Sequence, residues 1–364
     1  MGLTAGCLSG NGDDEYVRPI EVDEIPPAEH EGEVNNWNFF NEWMGPLAEP
    51  FEEEYGITVH NNFITSPVEV DSELQAGNEE IDTVLISEPT VSTGIEEGWW
   101  EPLPVEIMDA WDTLPDRFRE EAEEHYTQDG ETYMMSAIEQ METVLVYNTD
   151  YFDSPPDSWD ILWQDDLADD IAMMDGFEFN CYAAALYTGQ NPRNPDDFEE
   201  IEEVLEQQRD LNRTYWSDYS EGQAMMSRED IVVTVNTGGR AYNSHFDDGA
   251  PVDWTIPEEG CTISDSPHAI PTGAPHPRAA LTWYDYFMTG QAAVQLFLGH
   301  GEVPSIADWE EQASEAGIPQ DEIDFMDREA KNRHDAPLYS PQDGFSQETM
   351  DRYVEIWDRI RAGG

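Results

Sequence analysis

The sequence predicts an α/β protein of two lobes, and three observations carry that expectation. At 364 residues the chain is longer than one hydrophobic core ordinarily holds. Its composition, 39% hydrophobic and 11% aromatic, can fill such cores and excludes a chain disordered throughout. Short runs rich in β-branched residues alternate with amphipathic helical stripes along most of its length.

The elements follow in order. Residues 1–32 read as a tether, because Leu8 to His30 is rich in Gly, Pro and acid and has no hydrophobic periodicity. Leu47, Phe51 and Tyr55 then repeat every four residues, the spacing of one helix face. Strands are expected at 57–64, 81–87, 143–148, 170–175 and 230–236. Between the last two, Phe198, Ile201, Val204 and Leu205 line a helix opened by Asn194-Pro195. A final helix carries Met350, Tyr353, Val354, Trp357 and Ile360 on one face, with Ser346 as its cap.

The charge is lopsided: 81 Asp and Glu against 15 Lys and Arg, a net of −66. Binding a nucleic acid through its phosphates is excluded by such a field. A folded chain of this mass exposes roughly 15,000 Å², or one uncompensated negative charge per roughly 220 Å². That repulsion fades only where salt shortens the Debye length to about 3 Å, so the surface suits a salt-accumulating or hypersaline habitat. No run reaches 18 apolar residues, so no segment spans a membrane. There is no P-loop, no GxGxxG after a strand, no HExxH or other metal spacing among the eight His, and no GxSxG. No cofactor or metal is expected. The hydrolytic alternative left open is a carboxylate pair of the glycoside-hydrolase kind.

Cys7 ends Leu3-Thr4-Ala5-Gly6-Cys7, which resembles a bacterial-type lipobox and implies lipidation of Cys7. Two cysteines then remain. Cys181 and Cys261 either form a disulfide closing an 80-residue loop, worth roughly 4–5 kcal/mol in the chain-entropy model, or are buried free thiols.

Glu33-Val34-Asn35-Asn36-Trp37-Asn38-Phe39-Phe40, then Phe51 to Gly56-Ile57-Thr58-Val59, then Ile81-Asp82-Thr83-Val84-Leu85-Ile86-Ser87 followed by Gly98-Trp99-Trp100-Glu101-Pro102-Leu103, form an ordered set. It continues with Met173-Met174-Asp175-Gly176-Phe177-Glu178 and with Ser264-Asp265-Ser266 before His268-Ala269-Ile270-Pro271. Over about residues 33–364 this set resembles the solute-binding proteins of ABC importers, specifically the spermidine/putrescine-binding family. The resemblance implies a periplasmic-binding-protein-like (type II) α/β fold with lobes at 33–140 plus 264–304 and 141–263 plus 305–364. Hinge crossings are implied near 138–143 and 261–265. It implies a non-enzymatic, monomeric lipoprotein on the outer face of the cell membrane, capturing a polyamine-like cation for a permease. Asp175, Glu178 and Asp265 would hold amine nitrogens and Trp37 and Phe40 would pack along the carbon chain, with Asn38, Ser87 and Gln342 completing the set.

Spacing supports the acid pair independently. If Asp175 ends a strand and Glu178 opens a helix, both lie at the sheet edge where α/β proteins bind ligands, and each can accept a charge-assisted bond from an amine. The plainer reading of the same residues is acid serving a helix macrodipole. The family's rings are absent at Pro89, Val235, Ile263 and Val303. Either neighbours such as Phe39, Trp43, Tyr215, Trp216, Tyr242 and Trp254 replace them, or the ligand is a sugar or other small polar solute rather than a long polyamine.

Overall fold

The computed structural model describes residues 20–38, 40–64, 70, 72–74, 80–86, 88–340 and 346–363. Among them the strands are β1 (Glu33–Asn38), β2 (Thr58–Phe63), β3 (Thr83–Leu85), β4 (Thr127–Gln128), β5 (Glu131–Thr132), β6 (Met134–Met141), β7 (Val144–Asn148), β8 (Ile171–Met174), β9 (Asn212–Trp216), β10 (Val233–Asn236), β11 (Val252–Thr255), β12 (Cys261–Ala269) and β13 (Leu338–Tyr339). The helices that matter below are α1 (Asn41–Tyr55), α2 (Phe177–Tyr187), α3 (Phe198–Leu211), α4 (Tyr219–Ser227), α5 (Gly238–Tyr242), α6 (Pro277–Phe287), α7 (Gly290–His300) and α8 (Gln347–Ala362).

Two sheets divide the strands. One runs β13-β12-β3-β1-β2, with β6 also paired to β12; β1, β2 and β3 are parallel and β12 is antiparallel to both β3 and β6. The other runs β11-β7-β10-β8-β9 and mixes both senses. Every residue of β7 and β10 is buried, as expected of strands covered on both faces rather than one. The core of the first lobe is built on Trp43, Phe51, Trp283 and Phe287 of α1 and α6, and that of the second on Trp159, Trp216, Trp254 and Leu145.

The five expected strands all form, each shortened by a residue or more at its ends. The opening of α3 differs. Its cap is Asp197, whose Oδ1 accepts from the amides of Glu199 and Glu200, so Asn194-Pro195 belongs to the preceding turn. Ser346 does cap α8, accepting from Thr349 N at 3.1 Å. The described end of the expected tether is not all solvated: Ile20 is buried, and Val22 and Ile25 pack on the first lobe. Cys7 lies outside the described residues. Cys181 and Cys261 are free and buried, which corrects the disulfide alternative. Cys181 faces α8 in a core shared with Ile201 and Tyr353, whereas Cys261 packs in the core of the second sheet, so the two thiols point into different cores.

The lobes are joined by strands rather than loose linkers. β6 passes into β7 through Glu142 and Thr143, and β12 runs beside it in register, Ile263 opposite Met141 and Asp265 opposite Glu139. Both amides of Glu142 and Thr143 donate to Thr262 O, and the hydroxyls of Thr143 and Thr262 lie 2.7 Å apart. A further stretch, Glu302 to Ile306, lies along β6, where Ser305 N donates to Ala137 O and Ser305 Oγ to Ser136 O.

Candidate functional site

The site forms where these passages meet the ends of the second sheet. Glu142 occupies the bend between β6 and β7. Glu178 lies in the first turn of α2, which follows β8 directly because Gly176 supplies the extended backbone between them. Tyr219 is the first residue of α4, set by an Asp218 cap that accepts from Glu221 N. Glu302 follows α7, whose C-terminal Gly301 adopts φ 70°, the left-handed conformation that stops a helix.

These side chains converge. Tyr219 donates its hydroxyl to Glu142 Oε1 at 2.5 Å. Glu302 Oε1 accepts from Thr237 Oγ1 at 3.3 Å and from Gln140 Nε2 at 3.4 Å, and Gly239 N also bonds the carboxylate. A Cβ at Gly239 would collide with that carboxylate, so the close approach depends on glycine. Glu302 is buried and Glu142 and Glu178 are half-buried. Burial pushes all three carboxyls above their ordinary range. Glu178 adds to the rise at Glu142, and Glu142 adds to the rise at Glu302, which reaches about 8. Burial and the charges of Glu142, Glu178 and Glu302 push the Tyr219 phenol far up. The tyrosine therefore stays a donor.

Arg240 and His300 border the acids. The Arg240 guanidinium carbon sits 5.9 Å from the Tyr219 ring centre, and its Nη1 donates to Gln223 Oε1 at 3.3 Å. His300 stands edge-on to Phe40 of the first lobe at 4.8 Å, and burial, partly opposed by Glu42, lowers its basicity, with the Arg240 charge adding to the fall. Phe40 of the first lobe thus meets His300, and the Arg240 charge, beside Tyr219, acts on His300 in turn.

The residues expected from sequence divide. Glu178 is in the cluster. Asp175 ends β8 but accepts from Trp357 Nε1 at 3.2 Å and pairs with Arg361 at 2.9 Å, both on α8. The expected convergence of Asp175 and Glu178 is thus not seen, because α8 supplies Asp175 with its own cation. Phe40 is half-buried beside the cluster, and Trp37 is half-buried in β1. Asn38 is fully buried, its Oδ1 accepting from Phe40 N at 2.9 Å, so it shapes the turn into α1. The backbone of Asp265 lies on β12 at the crossing; its side chain, Ser87 and Gln342 lie outside the described residues. Asp82 holds structure, accepting from Asn35 N, His276 N and His276 Nδ1. Glu142, Glu302, Tyr219 and Arg240 were not marked by the sequence; the available signal was an acid flanked by apolar residues, Met141-Glu142-Thr143-Val144 and Gly301-Glu302-Val303-Pro304.

A cavity of about 560 Å³ opens between the lobes, and its lining includes Glu302 of the acid cluster together with Phe118, Met141, Trp254, Trp309 and Met326. Among the described residues no group of His, Cys, Asp and Glu has metal-binding geometry.

The family described as bacterial extracellular solute-binding proteins matches residues 46–322. A putrescine/agmatine-binding protein of Pseudomonas aeruginosa is 21% identical over 359 residues, covering 91% of this chain and 92% of its own. Among solved structures, the spermidine/putrescine ABC transporter substrate-binding protein PotD of Streptococcus pneumoniae superposes with a TM-score of 0.76 at 16% identity, over 91% of this chain and 98% of its own. The Tp0655 (TpPotD) lipoprotein of Treponema pallidum gives 0.69 at 15% identity, over 90% and 99%. These likenesses establish the two-lobe type II fold.

Proposed function

Because the chain belongs to the bacterial extracellular solute-binding protein family, we propose that it captures a polyamine-like cation between its lobes and delivers it to the permease of an ABC importer. The observation that carries this reading is the gathering of Glu142, Glu178 and Glu302 about Tyr219 at the junction of the lobes. Withdrawn from water, three carboxylates repel one another and each loses hydration. An entering ammonium restores hydrogen bonds worth about 1.5–3 kcal/mol each and removes the repulsion. Phe40 and Trp37 supply apolar surface for a methylene chain. The named ligands of the relatives support the class.

Capture needs no covalent chemistry. The lobes close on the solute by bending at the strand passages, and the closed form is what the permease meets. A lipid on Cys7 holds the protein at the outer face of the membrane, and the likeness to a lipoprotein supports that anchor. The test is calorimetry in molar KCl with putrescine, agmatine and spermidine. Saturable one-to-one binding, weakened at least about tenfold by Glu178→Gln, is the expected result. No heat and no thermal shift with any of the three would overturn the reading.

A further inference from the structure

We propose that the site also takes a second class of guest: a primary amine carrying an aromatic body, its ammonium on the acid cluster and its ring in the adjoining cavity. The inference rests on cation capture by the acid cluster and names a further substrate class for that site. Glu302 belongs both to the cluster and to the cavity lining. The first turn of α5 joins the two as well. Gly239 N bonds the Glu302 carboxylate, and a Cβ on the preceding Gly238 would stand 3.4 Å from Met326 Cε and 3.5 Å from the Trp254 ring, which both line the cavity. An ammonium held at Glu302 therefore has the cavity beside it.

The cavity suits a ring better than a bare chain. Phe118 comes from the first lobe, Trp254 and Met326 from the second, and Met141 ends β6; each is at most 5% exposed. Half-buried Trp309 completes a set of three rings and two thioethers. Flat aromatic faces and polarisable sulfur favour contact with another ring. A dry cavity of about 150 Å³ already holds benzene. A volume of about 560 Å³ takes a bicyclic ring, whereas a single methylene chain would leave most of it unfilled. Trp254 is also one of the neighbours expected to replace the rings absent at Pro89, Val235, Ile263 and Val303. The charged residues of the lining, Arg117 and Arg328 with Glu310, Asp327 and Glu329, are of both signs and all more exposed than this floor. A ring lying on the floor needs no charge of its own.

The experiment compares tryptamine, indole and putrescine by calorimetry in molar KCl on the full chain, with Ala307→Trp and Trp309→Ala. Tryptamine is expected to bind one-to-one, at least about tenfold more tightly than indole, and to be displaced by putrescine, because both amines need the acid cluster. Ala307→Trp adds bulk to the lining and Trp309→Ala removes a ring from it. Each should weaken tryptamine by about threefold to tenfold and leave putrescine within about twofold. Melting curves check that the variants fold, and the three affinities of the unaltered protein decide the matter even if they do not. Putrescine bound without tryptamine overturns the inference while cation capture stands. So does indole that binds as tightly as tryptamine, tryptamine that putrescine fails to displace, or folded variants that leave the two amines in their original ratio. A protein that binds neither amine removes the capture reading, and this inference falls with it.

Discussion

Glu302 is the residue whose setting has the sharpest consequence for pH. Burial first, and the charge of Glu142 second, raise its carboxyl to about 8. Between the ordinary carboxylate range and pH 8 the folded chain therefore holds a proton that the unfolded chain has lost, so this group's contribution to stability is complete in acid and disappears as the pH rises through 8. Glu302→Gln cannot ionise, and its melting temperature relative to the unaltered protein should rise between pH 5 and pH 9; a constant difference would contradict the assignment. The same proton makes cation capture release protons at neutral pH, so the calorimetric enthalpy should change with the ionisation heat of the buffer. His268 shows the opposite sign. Burial depresses it to about 3, and neither ring nitrogen has a partner among the described residues. Its contribution is present above the ordinary His range and lost as the pH falls toward 3. His268→Leu should therefore gain melting temperature relative to the unaltered protein as the buffer is acidified from pH 7 to pH 4. For Glu302 the apolar flank was the one signal in the sequence, and among 81 acids it gains weight only once the fold removes the residue from water. Glu178 was legible from the family resemblance, to which its place three residues after Asp175 at a strand end lent support.

At the scale of elements, α8 is held by three devices: the Ser346 cap, the pairing of Arg359 with Glu202 at 2.6 Å and 2.7 Å, and the two bonds from Trp357 and Arg361 to Asp175. Ser346→Ala should lower stability by about 1 kcal/mol, read from the denaturation midpoint. Asp175→Asn should lower the melting temperature but weaken amine binding less than Glu178→Gln does; a larger loss of affinity at Asp175 would mean that Arg361 yields it to the ligand. The buried strands were legible because runs such as Val144-Leu145-Val146-Tyr147 are apolar throughout. The crossing strands β6 and β12 were not, since Ser264-Asp265-Ser266-Pro267 has neither alternation nor apolar content; its pairing is set by neighbours far away in sequence. The disulfide alternative failed for a similar reason. Cysteine counting does not reveal that α2 turns Cys181 toward α8.

For the whole molecule, an accessible surface of 17,020 Å² with a net charge of −66 leaves one uncompensated charge per roughly 260 Å². The melting temperature should climb between 0.1 M and 2 M KCl as screening shortens the Debye length from about 10 Å toward 3 Å or less. A flat response would show that the surface charge does not strain the fold. The two-lobe α/β architecture was legible at this scale from length and alternation; the crossings near 138–143 and 261–265 followed from the family resemblance, whereas the pairing of the two crossing strands with each other was not legible. The bonded hydroxyls of Thr143 and Thr262 give that pairing a mechanical character. Because the outgoing and returning chains are laced together at that point, neither can flex alone; they twist as a single ribbon. The expected motion of the halves is therefore a rotation about these paired strands, like a door on a long hinge pin, rather than a sideways slide.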